Sequence, residues 1–257
     1  MKKLLKKLPE AQYIYIKKMY RKIFSTLNQN NLTKLAIINK TDKGTTHQYT
    51  KHYEFHLSKK RKQRLNILEI GIGGYQNPNL GGESLRMWKY YFPNSNIYGI
   101  DIFDKNGIDE NRIKTFKGSQ VDKEFLERIY NEIGSLDIII DDGSHINEHI
   151  IETFKILFPL LKQNGIYIIE DIQTSYWPDF GYGGDSMNLS NPATSMNFFK
   201  KLADCINYEE FINPEYQPTY YDQNIISIHF YHSMVFICKG DNNEGSNFIK
   251  NNIRVLH

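Results

Sequence analysis

Leu65-Asn-Ile-Leu-Glu-Ile-Gly71-Ile-Gly73-Gly74 runs a stretch of apolar residues into a glycine-rich turn, and its reading decides the fold. Branched apolar residues with little polar interruption suit a strand buried on both faces of a parallel sheet. The glycines that follow let the chain turn sharply and bring its backbone close to a ligand. The same alternation continues downstream through Asn96-Ile-Tyr-Gly-Ile-Asp101, a helix near Asp122–Ile133, Leu136-Asp-Ile-Ile-Ile-Asp141, a helix near Ile146–Lys162 and Gly165-Ile-Tyr-Ile-Ile-Glu170. Strand and helix in regular turn predict a doubly wound α/β domain.

Two late segments, Ile225–Tyr231 and Met234–Cys238, are separated only by His232 and Ser233. That connection permits a hairpin and excludes a parallel crossover. The expectation is therefore a mostly parallel, seven-stranded sheet ending in an antiparallel C-terminal hairpin, the feature that separates the class I methyltransferase fold from the ordinary dinucleotide-binding one.

Ahead of the sheet, residues 1–40 carry Lys2, Lys3, Lys6, Lys7, Lys17, Lys18, Arg21 and Lys22 among leucines, isoleucines and tyrosines at near-helical spacing. They read as a basic amphipathic helical extension to a domain spanning 41–257. Such helices can dock on their own domain, meet another subunit in a homo-oligomer, or touch anionic lipid. Pro9, Glu10 and the repeated lysines interrupt any apolar run, so neither a signal peptide nor a membrane span is expected and the chain should stay in the cytoplasm. Cys205 and Cys238 stand far apart with no metal-like spacing, as free thiols in a reducing compartment do. A net charge of +3 from 32 basic and 29 acidic side chains gives no overall field that would draw in nucleic acid.

Three motifs carry chemistry. Glu69-Ile-Gly71-Ile-Gly73-Gly74 lacks the third glycine of the dinucleotide fingerprint, because Gln76 stands in its place and a long loop delays the next helix. A pyrophosphate cradle is disfavoured, whereas a nucleoside without phosphates tolerates the loop. Asp101 at the next strand end suits both hydroxyls of a ribose, although a carboxylate there also serves as a helix cap. Gly118-Ser119-Gln120 follows a further strand expected between Asp101 and Gly118, the third in chain order and the seventh in all, and Ser119 and Gln120 lie where side chains in such sheets reach an adenine edge. Asp141-Asp142-Gly143-Ser144-His145 and Glu170-Asp171 end neighbouring strands and converge on one cleft. Carboxylates crowded in a partly desolvated site repel one another unless a divalent cation balances them. All-oxygen coordination favours Mg²⁺ or Mn²⁺, with Fe²⁺ also conceivable. His145 is placed to accept a proton from a hydroxyl near such an ion.

With Asp-Gly-Ser-His after one strand and Glu-Asp after the next, the chain resembles the metal-dependent sugar O-methyltransferases of the macrolide type, those of mycinamicin and macrocin. Asp42-Lys43-Gly44-Thr45-Thr46-His47-Gln48-Tyr49 and Tyr176-Trp177-Pro178 extend the likeness from about Thr41 to the carboxyl end. The resemblance implies S-adenosylmethionine and a divalent metal as cofactors, with Asp142, Glu170 and Asp171 as metal ligands and His145, beside Asp142, as the catalytic base. The implied cofactor contacts are Lys43, Tyr49, Glu69, Gly71, Gly73, Ser84, Asp101, Ser119, Gln120 and Asp141, with the Lys43–Tyr53 region forming a lid. The implied acceptor is a small sugar or a nucleotide-linked sugar such as a capsular heptose. The rival readings are methyl transfer to another hydroxyl or a phosphoramidate, NAD-dependent oxidation, and a non-catalytic module gripping nucleic acid or membrane through the basic helices.

Overall fold

The computed structural model describes residues 9–250 and 253–255. The opening basic run with Lys2, Lys3, Lys6 and Lys7 lies outside these residues. Helices α1 (Glu10–Leu27), α2 (Leu32–Asn39) and α3 (Thr50–Leu57) precede the first strand. There follow β1 (Asn66–Ile70), α4 (Glu83–Tyr91), β2 (Asn96–Asp101), β3 (Ile113–Lys117), α5 (Lys123–Ile133), β4 (Leu136–Asp141), α6 (Asn147–Leu160) and β5 (Leu161–Glu170). Helices α7 (Ser195–Ile206) and α8 (Tyr220–Asn224) lead into the final pair, β6 (Ile225–Tyr231) and β7 (Met234–Lys239).

These strands form one seven-stranded sheet in the order β3-β2-β1-β4-β5-β7-β6. β7 runs against the direction of the other six, pairing antiparallel with β5 and β6, and the turn at His232-Ser233 closes with Ser233 at φ 63°. The expected hairpin at the sheet edge is thus present. β5 begins at Leu161, earlier than the glycine at 165 suggested, because Leu161 pairs with Leu136 before the register shifts ahead of Ile138.

Side chains alternate across the sheet with the period of two that a pleated strand imposes. Ile67, Ile138 and Ile168 face a layer containing Leu35, Tyr53, Leu85 and Trp88, while Leu68, Ile139 and Tyr167 face Phe125, Phe154 and Phe199. Helix α2 contributes Leu32, Leu35 and Ala36 to the first of these cores, so the extension and the sheet share packing. The Asn31 side chain caps α2 by accepting from Lys34 N at 2.8 Å, and Asp122 caps α5 in the same way through Phe125 N at 3.1 Å. Among the described residues no helix is long and apolar enough to cross a membrane.

Parallel register decides where the chemistry gathers. Ile70 lies opposite Ile100 on one side and Asp141 on the other, and Asp141 lies opposite Ile169. Gly71, Asp101, Asp142 and Glu170 therefore emerge side by side at the carboxyl edge of the sheet, where doubly wound folds bind ligands.

Candidate active site

The turn after β1 is fixed by contact with the turn after β4. Gly71 has φ 77°, its N–H donates to Ile100 O at 2.8 Å, and a Cβ on it would fall on the carbonyl oxygen of Asp142. Glycine is required there both for the left-handed backbone and for the close approach. Asp142 N in turn donates to Ile70 O at 3.0 Å.

Two cavities meet at Gly71. One of about 250 Å³ is lined by Asp101, Ile102, Ser119, Gln120, Ser144 and His149. The other, of about 270 Å³, is lined by Thr41, Lys43, Gly73, Glu83, Ser84 and Asp142. Gln120 braces the first: its Oε1 accepts from Ser144 N at 2.8 Å, and its Nε2 donates to Asp141 Oδ1 at 3.2 Å and Thr153 Oγ1 at 3.0 Å. Asp101 is held by backbone, accepting from Phe103 N at 2.9 Å and Ile72 N at 3.3 Å.

Two buried carboxylate oxygens beneath these cavities have no hydrogen bond, Glu69 Oε1 and Asp141 Oδ2. Glu69 Oε1 has the Lys43 ammonium beside it at 3.1 Å, and Glu69 Oε2 accepts from the Trp88 indole at 3.0 Å. Burial pushes both acids up, Asp141 to about 7. Orphaned acceptors of this kind are costly unless a ligand supplies donors. The amino groups of S-adenosylmethionine are donors of the required type, so the residues fit that cofactor.

The acidic strand tips form two overlapping groups rather than one. Oxygens of Asp142 and Asp171 lie with the His145 ring, and oxygens of Asp142 and Glu170 lie with Glu69, all ligand atoms within each group being within 4.8 Å of one another. Asp142 belongs to both. Glu170 is turned toward the interior, accepting from the Tyr53 hydroxyl and from Lys43 Nζ at 2.7 Å, while Lys43 also donates to Asp142 Oδ2 at 2.6 Å. Burial, then repulsion from Asp142, drives the Glu170 carboxyl well above the ordinary carboxylate range despite Lys43. One ammonium undercompensates Glu69, Asp142 and Glu170, and this oxygen-rich donor set fits a hard divalent cation.

Asp171 behaves differently. It sits at φ 51°, accepts from Tyr49 Oη at 2.6 Å, and has His47 Nδ1 at 3.4 Å and His145 Nε2 at 3.8 Å. Burial pushes its carboxyl up, but the Tyr49 hydroxyl and the two imidazoles outweigh burial and hold it below the usual value. His145, at φ 58° on the turn from β4 to α6, presents its ring to this carboxylate.

The structure thus places Gly71, Asp101, Ser119 and Gln120 around one cavity, and Lys43, Gly71, Gly73 and Ser84 around the other, with Glu69 and Asp141 buried beneath. Tyr49 lines neither cavity and bonds Asp171 instead. Tyr53, His47, Ser144 and His149 were not singled out from sequence. Only Tyr53 carried a signal, since it follows Tyr49, the residue that caps α3, by four residues or one helical turn.

A doubly wound sheet with an antiparallel terminal pair, a glycine turn and an acidic strand tip beside nucleoside-sized cavities is the class I methyltransferase fold. Known proteins narrow the class. The chain is 48% identical over 203 residues to mycinamicin VI 2''-O-methyltransferase of Micromonospora griseorubida, covering 79% of this chain and 50% of that protein. It is 45% identical over 205 residues to demethylmacrocin O-methyltransferase of Streptomyces fradiae, covering 79% and 51%. The MycE methyltransferase from the mycinamycin biosynthetic pathway, solved in complex with Mg and SAH, aligns with a TM-score of 0.80 at 46% identity, covering 84% of this chain and 56% of that one. No model of a known protein family matches. The chain is a homologue of the macrolide sugar O-methyltransferases and spans about half the length of these curated relatives.

Proposed function

We propose that the chain is an S-adenosylmethionine- and Mg²⁺-dependent O-methyltransferase acting on a sugar hydroxyl. The observation that carries this reading is the His145 imidazole beside the Asp142 and Asp171 carboxylates, with Asp142 also bordering the cavity at Gly71. Support also comes from the complex of MycE with Mg and SAH.

When bound, a divalent ion supplies Lewis acidity that lowers the pKa of an acceptor hydroxyl. Asp142 and Asp171 would hold it, with Glu170 as the third carboxylate through its link to Asp142. His145 accepts the hydroxyl proton at Nε2, and Asp171 stabilises the imidazolium so formed. Tyr49 and His47 keep Asp171 in place. Gly71, Asp101 and Gln120 fix the methyl donor, so that orientation supplies much of the rate. The acceptor oxygen, once His145 has taken its proton, is itself the nucleophile that would receive the methyl group, so no protein side chain has to act as one.

The acceptor we propose is a nucleotide-linked sugar, of which a heptose destined for surface polysaccharide is one member, modified in the cytoplasm where the free thiols Cys205 and Cys238 persist. Support comes from a cavity of about 720 Å³ between α1 and α4, into which Lys17, Arg21 and Arg86 project. Arg21 is half-buried; burial, then the facing Arg86, pulls its pKa down against the Glu83 and Glu110 carboxylates that share the cavity. Glu83 lines both this cavity and the one at Gly71. The test is transfer of labelled methyl to nucleotide sugars and to macrolide glycosides, with Mg²⁺ and with chelator. Transfer that persists in chelator removes the metal from the mechanism, and transfer only to the macrolides removes the nucleotide.

A further inference from the structure

The long loop between β1 and α4 is held from inside by a lysine that belongs to the next strand end. Lys105 follows Asp101 by four residues and is 1% exposed. Its ammonium donates to three main-chain carbonyls of that loop, Tyr75 O, Asn77 O at 3.1 Å and Leu80 O at 3.3 Å. An ammonium has three N–H donors, so this cage satisfies it completely, and removing the charge would leave three carbonyls facing one another. The two segments meet elsewhere as well. A Cβ on Gly107 would fall on Pro78 O and the Asn79 side chain, and Ile72 N donates to Asp101 Oδ2 at 3.3 Å. The segment that delivers the lysine is stiffened by Phe103 N and Asn106 N, which donate to Asp101 Oδ1 and Asp104 Oδ1, both at 2.9 Å. At the far end of the loop Gly82 N returns to Ile72 O at 2.7 Å, which brings Glu83 and Ser84 to the cavity that Gly73 lines. Lys105 therefore ties the segment carrying Asp101, on one cavity, to the loop between Gly73 and Glu83, on the other.

We propose that Lys105 is a positioning residue for the methyl donor, and that its carbonyl cage joins the glycine turn and Asp101 into a single preformed surface. A phosphate-cradling turn is fixed by running directly into its helix. The longer loop here lacks that support, and the buried ammonium replaces it. Without the ammonium the loop samples conformations in which Glu83 and Ser84 leave the cavity, and affinity falls in proportion to the fraction that stays competent. The inference rests on the reading that these cavities receive S-adenosylmethionine.

Calorimetric titration of S-adenosylhomocysteine into the full chain, with Mg²⁺ titrated separately, reads the proposal without turnover. Lys105→Met keeps the apolar stem and removes the donors. Its affinity for S-adenosylhomocysteine should fall about 10–100-fold, the weight of a buried polar group left unpaired, while Mg²⁺ affinity stays at the wild-type value. In turnover, KM for S-adenosylmethionine should rise and kcat at saturating donor should be retained. A folded Lys105→Met that melts earlier but binds S-adenosylhomocysteine as wild type does would overturn the proposal, as would equal losses for nucleoside and metal. Should Lys105→Met not fold, hydrogen exchange on the wild type decides. Residues 75–82 and 102–108 should then be slowed together by S-adenosylhomocysteine, and separate responses refute the locking. Wild type that binds no S-adenosylhomocysteine overturns the cofactor reading beneath it instead.

Discussion

Replacing Tyr49 by Phe separates two roles that sequence alone had merged. The sequence places Tyr49 with the cofactor, whereas its hydroxyl reaches Asp171 at 2.6 Å. The ring is 2% exposed and stacks on His47 with centroids 5.0 Å apart, and both features survive in Phe. What disappears is the hydrogen bond to an ionised acceptor, worth roughly 1.5–3 kcal/mol net, together with the longer 3.4 Å contact of the same hydroxyl to Ser233 O. If that bond fixes a metal-binding carboxylate, Mg²⁺ affinity should fall about 10–100-fold, the usual effect of removing a group that orients a ligand. Titration calorimetry with Mg²⁺, and separately with S-adenosylhomocysteine, reads the two roles apart. Methyl transfer should recover at high Mg²⁺, and S-adenosylhomocysteine affinity should stay within about twofold of wild type, well below the tenfold that 1.4 kcal/mol represents. Unchanged Mg²⁺ affinity, or a loss confined to the nucleoside ligand, would refute the assignment of Tyr49 to Asp171.

His145→Ala should cut turnover about 10²–10⁴-fold, the worth of a general base, while calorimetry shows S-adenosylhomocysteine binding nearly intact; full activity would remove His145 from the mechanism. Asp101→Asn should do the reverse, weakening S-adenosylhomocysteine while leaving Mg²⁺ binding alone. Phe154, fully buried and packed on Phe158, Tyr167 and Phe199, should cost about 3–5 kcal/mol on truncation to Ala, which a denaturant titration measures. His56 gives a pH signature: burial, then the nearby His229 and His52, lower its pKa from 6.5 to about 4. The folded state therefore favours the neutral ring, so its contribution to stability is complete above about pH 6.5 and is lost as pH falls toward 4. Melting curves of His56→Phe should be flatter than wild type across that window.

How far sequence reached depends on the range of the interactions. The parallel strands and the terminal hairpin followed from local patterns, because Leu65–Ile70 and Leu136–Ile140 are apolar enough to be buried on both faces and His232-Ser233 is too short for anything but a hairpin. Gly71, Asp101, Gln120, Asp142 and Asp171 were readable because parallel register brings successive strand ends to one edge. The pairing of acids was not. Glu170 and Asp171 are adjacent, yet the chain turns into a left-handed conformation at Asp171, and the two carboxylates enter different groups. Lys43 meets Asp142 and Glu170 across 99 and 127 residues, and nothing local announces that a lysine beside a glycine will be buried among carboxylates.

This division bears on how the cleft tolerates so much negative charge. Asp142 is shared by both acidic groups, and its backbone is tied to the glycine turn through Ile70 O and the close approach of Gly71. Movement of Asp142 toward an ion would disturb the turn that lines both cavities. Lys43 opposes that movement from the interior, while Tyr49, His47 and His145 hold Asp171 on the outer side. Lys43 thus supplies one fixed cation for three inner carboxylates, and the charge it leaves uncompensated, together with that of Asp171, is what an external ion must complete. An ion shared by Asp142 and Asp171 would lie beside the His145 and His47 imidazoles, and base and metal would then address one hydroxyl at the carboxyl edge of the sheet.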